Sequence, residues 1–126
     1  MILLDTHVVL WARATPDRLS DTALRAMHTA DALAIASITL WEIAMLAGKG
    51  RVRPDGPLDE YLNKISASVT VVALDAAVAA RSVVMASRMT TADPADHVIC
   101  ATADVRGMSL ISADRQVASS EVQVIW

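Results

Sequence analysis

"ALAIASITLWEIAMLAG" occupies residues 32–48, and Glu42 is its only charged side chain. Taken as one apolar run, it approaches the length of a membrane span. A glutamate near the middle of a span is costly, however, and the flanks carry no anchoring pattern. Taken as two elements, the stretch is coherent. "ALAIAS" is a short apolar strand, and the residues after it form a helix that Ser37 or Thr39 caps, that runs to Ala47 and that stops at Gly48. The chain then reads as a soluble protein with no membrane segment, in which a buried strand feeds a buried helix.

The same unit recurs on both sides. Upstream, "MILL" at residues 1–4 is a buried strand and "HVVLWAR" at 7–13 a first helix. Turn signals in "TPDRLSD" precede an amphipathic helix over 21–31, with Ser20 as its cap. Downstream, "GKGRVRPDGP" at 48–57 is a loop rich in glycine and proline. A short helix over 58–66 follows, then a strand, "VTVVAL", at 69–74 and a helix over 76–89 behind Asp75. Asp93 as cap, Pro94 at the first helical position and Gly107 at the stop delimit another helix. "MSLIS" at 108–112 is a fourth strand, "ADRQVA" a turn or short helix, and "VQVIW" at 122–126 a final, edge-like strand. Alternating strands and helices imply an α/β fold: a three-layer α/β/α sandwich with a mainly parallel central sheet of four to five strands, in one domain over residues 1–126.

Bulk properties narrow the class. A hydrophobic fraction of 54% without phenylalanine predicts an aliphatic core, with Trp11, Trp41 and Trp126 as its few large fillers. A net charge of −3 argues against a general nucleic-acid coat but leaves room for a local acidic site. Cys100 is the only cysteine and lies in an apolar run, so it reads as a small buried residue. The lack of an internal disulfide fits a cytoplasmic protein. No basic residue precedes the first apolar run and Asp5 interrupts it, so no signal peptide is expected.

In parallel sheets, ligands gather at the carboxyl ends of the strands. Asp5 follows the first strand there, and Asp114 follows the fourth. Asp93 and Asp96 open the helix before that fourth strand. Each has a structural alternative. Asp5 caps a helix, Asp93 and Asp96 resemble a capping box, and Asp114 is a turn aspartate. Glu42 has none, being too far from its helix start to cap it and lacking a basic partner at helical spacing. A lone carboxylate in such surroundings must be neutralised, paired or bound to a metal. If Asp5, Glu42, Asp96 and Asp114 converge within about 5 Å, each pair repels by roughly 3 kcal/mol at an effective dielectric near 20. Shared protons or a divalent cation relieve that repulsion. Carboxylate and water ligands select Mg²⁺ or Mn²⁺. His7, His28 and His97 are scattered and form no zinc-type set.

"LLDTHVVLW", "SITLWEIA", "ADPADHVICATA" and "LISADRQV", in this order, resemble PIN-domain ribonucleases, and within them the VapC toxins of bacterial toxin–antitoxin pairs. The resemblance implies that Asp5, Glu42, Asp96 and Asp114 are the catalytic acids and metal ligands. It adds Asp93 to the metal set and Thr6 as the supporting hydroxyl. Two positions depart from the family pattern: Ala95 stands for the usual aromatic and His97 for the usual arginine. The implied chemistry is Mg²⁺- or Mn²⁺-assisted hydrolysis of RNA, transfer RNA among the targets. The implied partners are a VapB-type antitoxin that covers the acids and a second copy in a homodimer. Lys49, Arg51 and Arg53, with Arg13 and Arg115, are the basic residues available to track RNA phosphates; a solvated loop explains the first three equally well. Two other readings fit less of the chain. A small phosphatase of the haloacid-dehalogenase type needs an aspartate where His7 stands, and a receiver-type signalling domain needs paired acids and a late lysine that are missing.

Overall fold

The structure, a computed structural model, describes residues 1–126. Five strands form the sheet: β1 (Ile2–Leu4), β2 (Leu33–Ala36), β3 (Thr70–Val72), β4 (Leu110–Ile111) and β5 (Val124–Ile125). Six helices cover it: α1 (Thr6–Ala14), α2 (Asp21–Thr29), α3 (Ser37–Gly48), α4 (Leu58–Ser68), α5 (Ala76–Arg88) and α6 (Pro94–Arg106). Two 3₁₀ turns, Pro16–Arg18 and Arg115–Ser120, complete the chain. The strand order is β3-β2-β1-β4-β5, and every pairing is parallel. The expected sheet is therefore present, wholly rather than mainly parallel.

That order creates one special place. From β1 the chain steps outward to β2 and then β3, and α5 and α6 carry it back across β1 to β4. The direction of winding reverses between β1 and β4, so the loops after these two strands diverge and leave a crevice. Asp5 follows β1 and Asp114 lies just beyond β4, one on each side of it.

Strand periodicity splits the core into two layers. Leu3, Ala34, Ala36 and Leu110 pack with Val78, Met85 and Ile99 of α5 and α6. Leu4, Ile35 and Ile111 point the other way, against Val8 and Val9 of α1, Ile43 of α3 and Ile65 of α4. The core is aliphatic, as expected, but the tryptophans are not its fillers. Trp41 is 57% exposed and Trp126 39%, and Trp11 is only half-buried. Thr39 and Ile43 take the buried positions of α3, which turns Trp41 outward.

The capping hydroxyls also differ from expectation. The cap of α3 is Ala36, with no side-chain hydrogen bond. Ser37 Oγ instead accepts from the Leu74 backbone N–H at 3.0 Å, and Thr39 Oγ1 lies 3.1 Å from Thr6 Oγ1. Both hydroxyls tie α3 to other elements rather than to its own first turn. Ser20, Asp75 and Asp93 do cap their helices, and Gly107 ends α6 at φ +64°, where a Cβ would be strained. Cys100 is buried among these layers, where desolvation pushes its thiol up to about 12, so it is unreactive at neutral pH.

Leu110 is fully buried beside β1 and anchors the strand that delivers Asp114, whereas Val83 on α5 is 72% exposed. Leu110→Ala is expected to lower unfolding free energy by about 2–5 kcal/mol, and Val83→Ala by less than about 0.5 kcal/mol. Urea denaturation with unchanged slope checks both.

Candidate active site

The acids are delivered by three different local devices. Asp5 leaves β1 in extended conformation and caps α1, so its carboxylate is turned back over the carboxyl edge of the sheet. It is 7% exposed. Oδ1 accepts from the Thr6 backbone N–H at 2.8 Å and Oδ2 from Ser112 Oγ at 2.6 Å. Ser112 also accepts from the Asp114 backbone N–H at 3.1 Å, so one hydroxyl locks the loop after β4 to the acid after β1. The capping expected of Asp5 is present, through the Thr6 N–H.

Glu42 sits on α3, one turn beyond Thr39, and leans toward β1. Thr6 Oγ1 donates to Glu42 Oε1 at 2.6 Å, a length typical of a charge-assisted bond. Thr6 has one hydroxyl hydrogen, so Thr39 is the donor in the Thr6–Thr39 contact. Thr6 thus links Asp5, through its backbone, to Glu42, through its side chain.

Asp96 projects from the first turn of α6. Thr91 Oγ1 donates to its Oδ2 at 3.0 Å and accepts from the Asp93 backbone N–H at 3.2 Å. Asp96 is therefore not the reciprocal partner of a capping box, because Thr91 takes that backbone N–H. His97 Nε2 donates to the Thr91 carbonyl at 2.8 Å, which closes the loop before α6. His97 is a structural residue in this arrangement. Asp93 caps α6 through the Ala95 N–H, and Asp114 caps the following 3₁₀ turn through the Gln116 N–H. Both are more exposed than the other three.

The acids act on one another electrostatically. Burial pushes Glu42 up to about 7, and the charges of Asp93, Asp5 and Asp96 push the same way against the Thr6 hydrogen bond. Burial pushes Asp96 up to about 6, with Asp93, Asp5 and Asp114 adding to it. Asp5 is also raised by burial, although the Ser112 and Thr6 donors oppose it. Every ion pair of the protein involves other acids: Asp31, Asp55, Asp75, Asp104 and Glu121. The cluster has neutral hydrogen-bond donors and no lysine or arginine paired to it. No three of these groups close into a ready-made ligand cage, so the tight convergence expected from the sequence is looser in the structure. That arrangement fits a hydrated Mg²⁺ or Mn²⁺, which keeps several waters and takes only one or two direct carboxylates.

The basic residues do not form one rim. Arg51 and Arg53 meet on a cleft with Arg18, which the sequence did not single out. Arg13 stacks over the Tyr61 ring at 5.4 Å in an adjoining groove. Lys49 is exposed just past α3, and Arg115 lies beyond Asp114. Ser112 and Thr91 were likewise missed. A lone polar residue ending the apolar run "LIS" was the signal for Ser112.

Comparison with known proteins follows the same geometry. The PIN-domain family pattern matches residues 2–121. Ribonuclease VapC22 of Mycobacterium tuberculosis is 39% identical over 118 residues, covering 94% of this chain and 90% of that protein. This chain belongs to the PIN-domain family and is a VapC homologue. Its fold is shared with solved structures of lower identity. VapBC2 from Rickettsia felis, bound to a promoter DNA fragment, superposes with a TM-score of 0.74 at 14% identity, covering 98% of this chain and 97% of that one. DNA-bound VapBC from Salmonella typhimurium gives 0.69 at 17%, with coverage of 98% and 97%. A toxin–antitoxin complex from Klebsiella pneumoniae gives 0.67 at 18%, with coverage of 94% and 91%.

A raised carboxylate pKa means that the folded state binds protons more tightly than the unfolded one. Without divalent cation, this contribution to stability is present below the ordinary carboxylate range and is lost as pH rises through about 6 for Asp96 and about 7 for Glu42. Thermal melts from pH 5 to 8 in chelator are expected to show a falling midpoint that Glu42→Gln flattens. Millimolar Mn²⁺ should raise the midpoint most at the alkaline end, where the acids are ionised.

Proposed function

We propose that this PIN domain is a metal-dependent endoribonuclease toxin, with Asp5, Glu42, Asp96 and Asp114 as its catalytic acids and Asp93 at the margin of the metal set. The observation that carries the reading is the acid cluster itself. Asp5, Glu42 and Asp96 are buried or half-buried and act on one another electrostatically, and neither lysine nor arginine pairs with them.

This chain's own residues prepare the site in three ways. Ser112 and the Thr6 N–H each occupy one lone-pair direction of Asp5, which leaves the remaining directions for a cation. Thr6 fixes Glu42 Oε1, and Thr91 fixes Asp96 Oδ2, so each carboxylate keeps one oxygen without a hydrogen-bond partner. The sheet beneath is rigid, so the acids are held in place before substrate arrives. A bound Mg²⁺ or Mn²⁺ supplies an activated water at neutral pH and offsets the charge that builds on the phosphate.

The biological setting follows from the family. A VapB-type antitoxin covering the acids, a homodimer and a cytoplasmic location belong to this reading. The relatives named above that were solved as VapBC or toxin–antitoxin complexes support the antitoxin. No helix is long and apolar enough to cross a membrane. Trp41 and Met45, one turn apart and exposed on α3, supply apolar surface for a protein contact.

Asp5→Asn is expected to reduce Mg²⁺-dependent cleavage of labelled RNA to background. The fold should survive within about 1 kcal/mol, because asparagine caps a helix as well as aspartate does. Full cleavage by a folded, nuclease-free sample of this variant contradicts the assignment.

A further inference from the structure

A cleft of about 420 Å³ runs along α1, away from the acid crevice. His7, Trp11 and Ala14 lie on the helix face that lines it, and α1 rises by roughly 10 Å between His7 and Ala14. Arg18 enters from the 3₁₀ turn, and Arg51 and Arg53 from the loop after α3. None of these three guanidinium groups is in an ion pair, although the protein carries a net charge of −3. Arg18 lies over the Trp11 ring at 4.3 Å, and Trp11 contacts both His7 and Trp126 with ring centroids 5.9 Å apart. His7 is the lining residue that brings one end of the cleft toward the acids. His7 is two residues from Asp5, is exposed, and acts on the Asp5 carboxylate through space.

Three exposed, unpaired cations on one cleft suit an anionic ligand of matching length. The aromatic ladder beside them offers flat faces as well as charge. A single-stranded polynucleotide supplies both, with phosphates for the arginines and bases for the rings. We propose that this cleft is a second foothold for single-stranded RNA, in which Arg18, Arg51 and Arg53 hold phosphates flanking the scissile one and the exposed His7 ring stacks on a base. The proposal rests on the ribonuclease reading for its substrate. It adds the path the substrate takes and names Arg18 and His7 as positioning residues.

The test is equilibrium binding of a labelled ten-nucleotide oligouridylate, measured in chelator across a salt series. For single strands the dependence of log affinity on log salt scales as about −0.7 per phosphate contact. Replacing all three arginines by glutamine is expected to weaken binding at least tenfold and to reduce that slope by about 2. The triple lysine variant, which keeps the charges, should retain the slope; circular dichroism verifies that both are folded. His7→Ala should weaken binding without changing the slope, and His7→Phe should restore it. If the glutamine variant binds like the wild type while the wild type cleaves RNA with Mg²⁺, the cleft proposal is overturned and the nuclease reading stands. If the slope falls as expected but the wild type never cleaves, the nuclease reading fails and the cleft stands as an RNA-binding surface. If a ten-residue oligoglutamate displaces the RNA at equal concentration, the cleft is a protein-docking or general anion site, and the proposal is wrong.

Discussion

The structure turns on one buried carboxylate with neutral partners. Asp5 sits where the winding of the sheet reverses and is held by the Thr6 N–H and the Ser112 hydroxyl. Burying an unpaired charge is costly, and most proteins avoid it with an arginine or lysine. Here the neighbouring polar groups increase the problem, because Glu42 and Asp96 bring more negative charge to the same space. Their carboxyls respond by holding protons near neutral pH. A divalent cation is the other way to relieve the same strain, and it removes the protons as it binds. On the proposed reading, stability and metal affinity are two readouts of one arrangement.

Asp5, Glu42 and Asp96 are each tied to a hydroxyl, the first two from distant parts of the chain and the third from five residues upstream. Ser112 reaches Asp5, Thr6 reaches Glu42, and Thr91 reaches Asp96. These bonds orient the carboxylates without neutralising them, which a basic residue would do. The same economy explains α3, whose Ser37 and Thr39 hold neighbouring elements and leave its first turn without a side-chain cap. Positive charge is displaced to the cleft along α1, so the two signs occupy adjoining regions rather than cancelling.

Much of this was legible in the sequence, and the reasons are specific. Glu42 stood out because no other charge falls within residues 32–48 and no capping role fits its position. The strand–helix alternation predicted the sheet, because apolar runs such as "ALAIAS" are too short for buried helices and lack helical spacing. Contacts between distant hydroxyls were not legible. Ser112 looks like an ordinary strand-end residue, and only the fold brings it to Asp5, whereas Thr91, five residues before Asp96, looks like an ordinary loop residue. Arg18 was missed for the same reason, since it is far in sequence from the loop carrying Arg51 and Arg53. The tryptophans misled because size and hydrophobicity suggest burial, whereas Trp41 lies on the outer face of α3. The two departures from the family pattern also have a local setting. Ala95 is buried at the edge of an apolar groove shared with Trp41 and Ile38, and His97 holds the Thr91 carbonyl.

On the proposed reading, the crevice between β1 and β4 holds a divalent cation. Diffraction from crystals soaked in Mn²⁺, recorded at the manganese absorption edge, addresses it directly. An anomalous peak about 2 Å from an Asp5 carboxylate oxygen, within reach of Glu42 or Asp96 directly or through one water, is the expected result. Peaks confined to exposed acids such as Asp31 or Asp59, with none beside Asp5, would contradict the account.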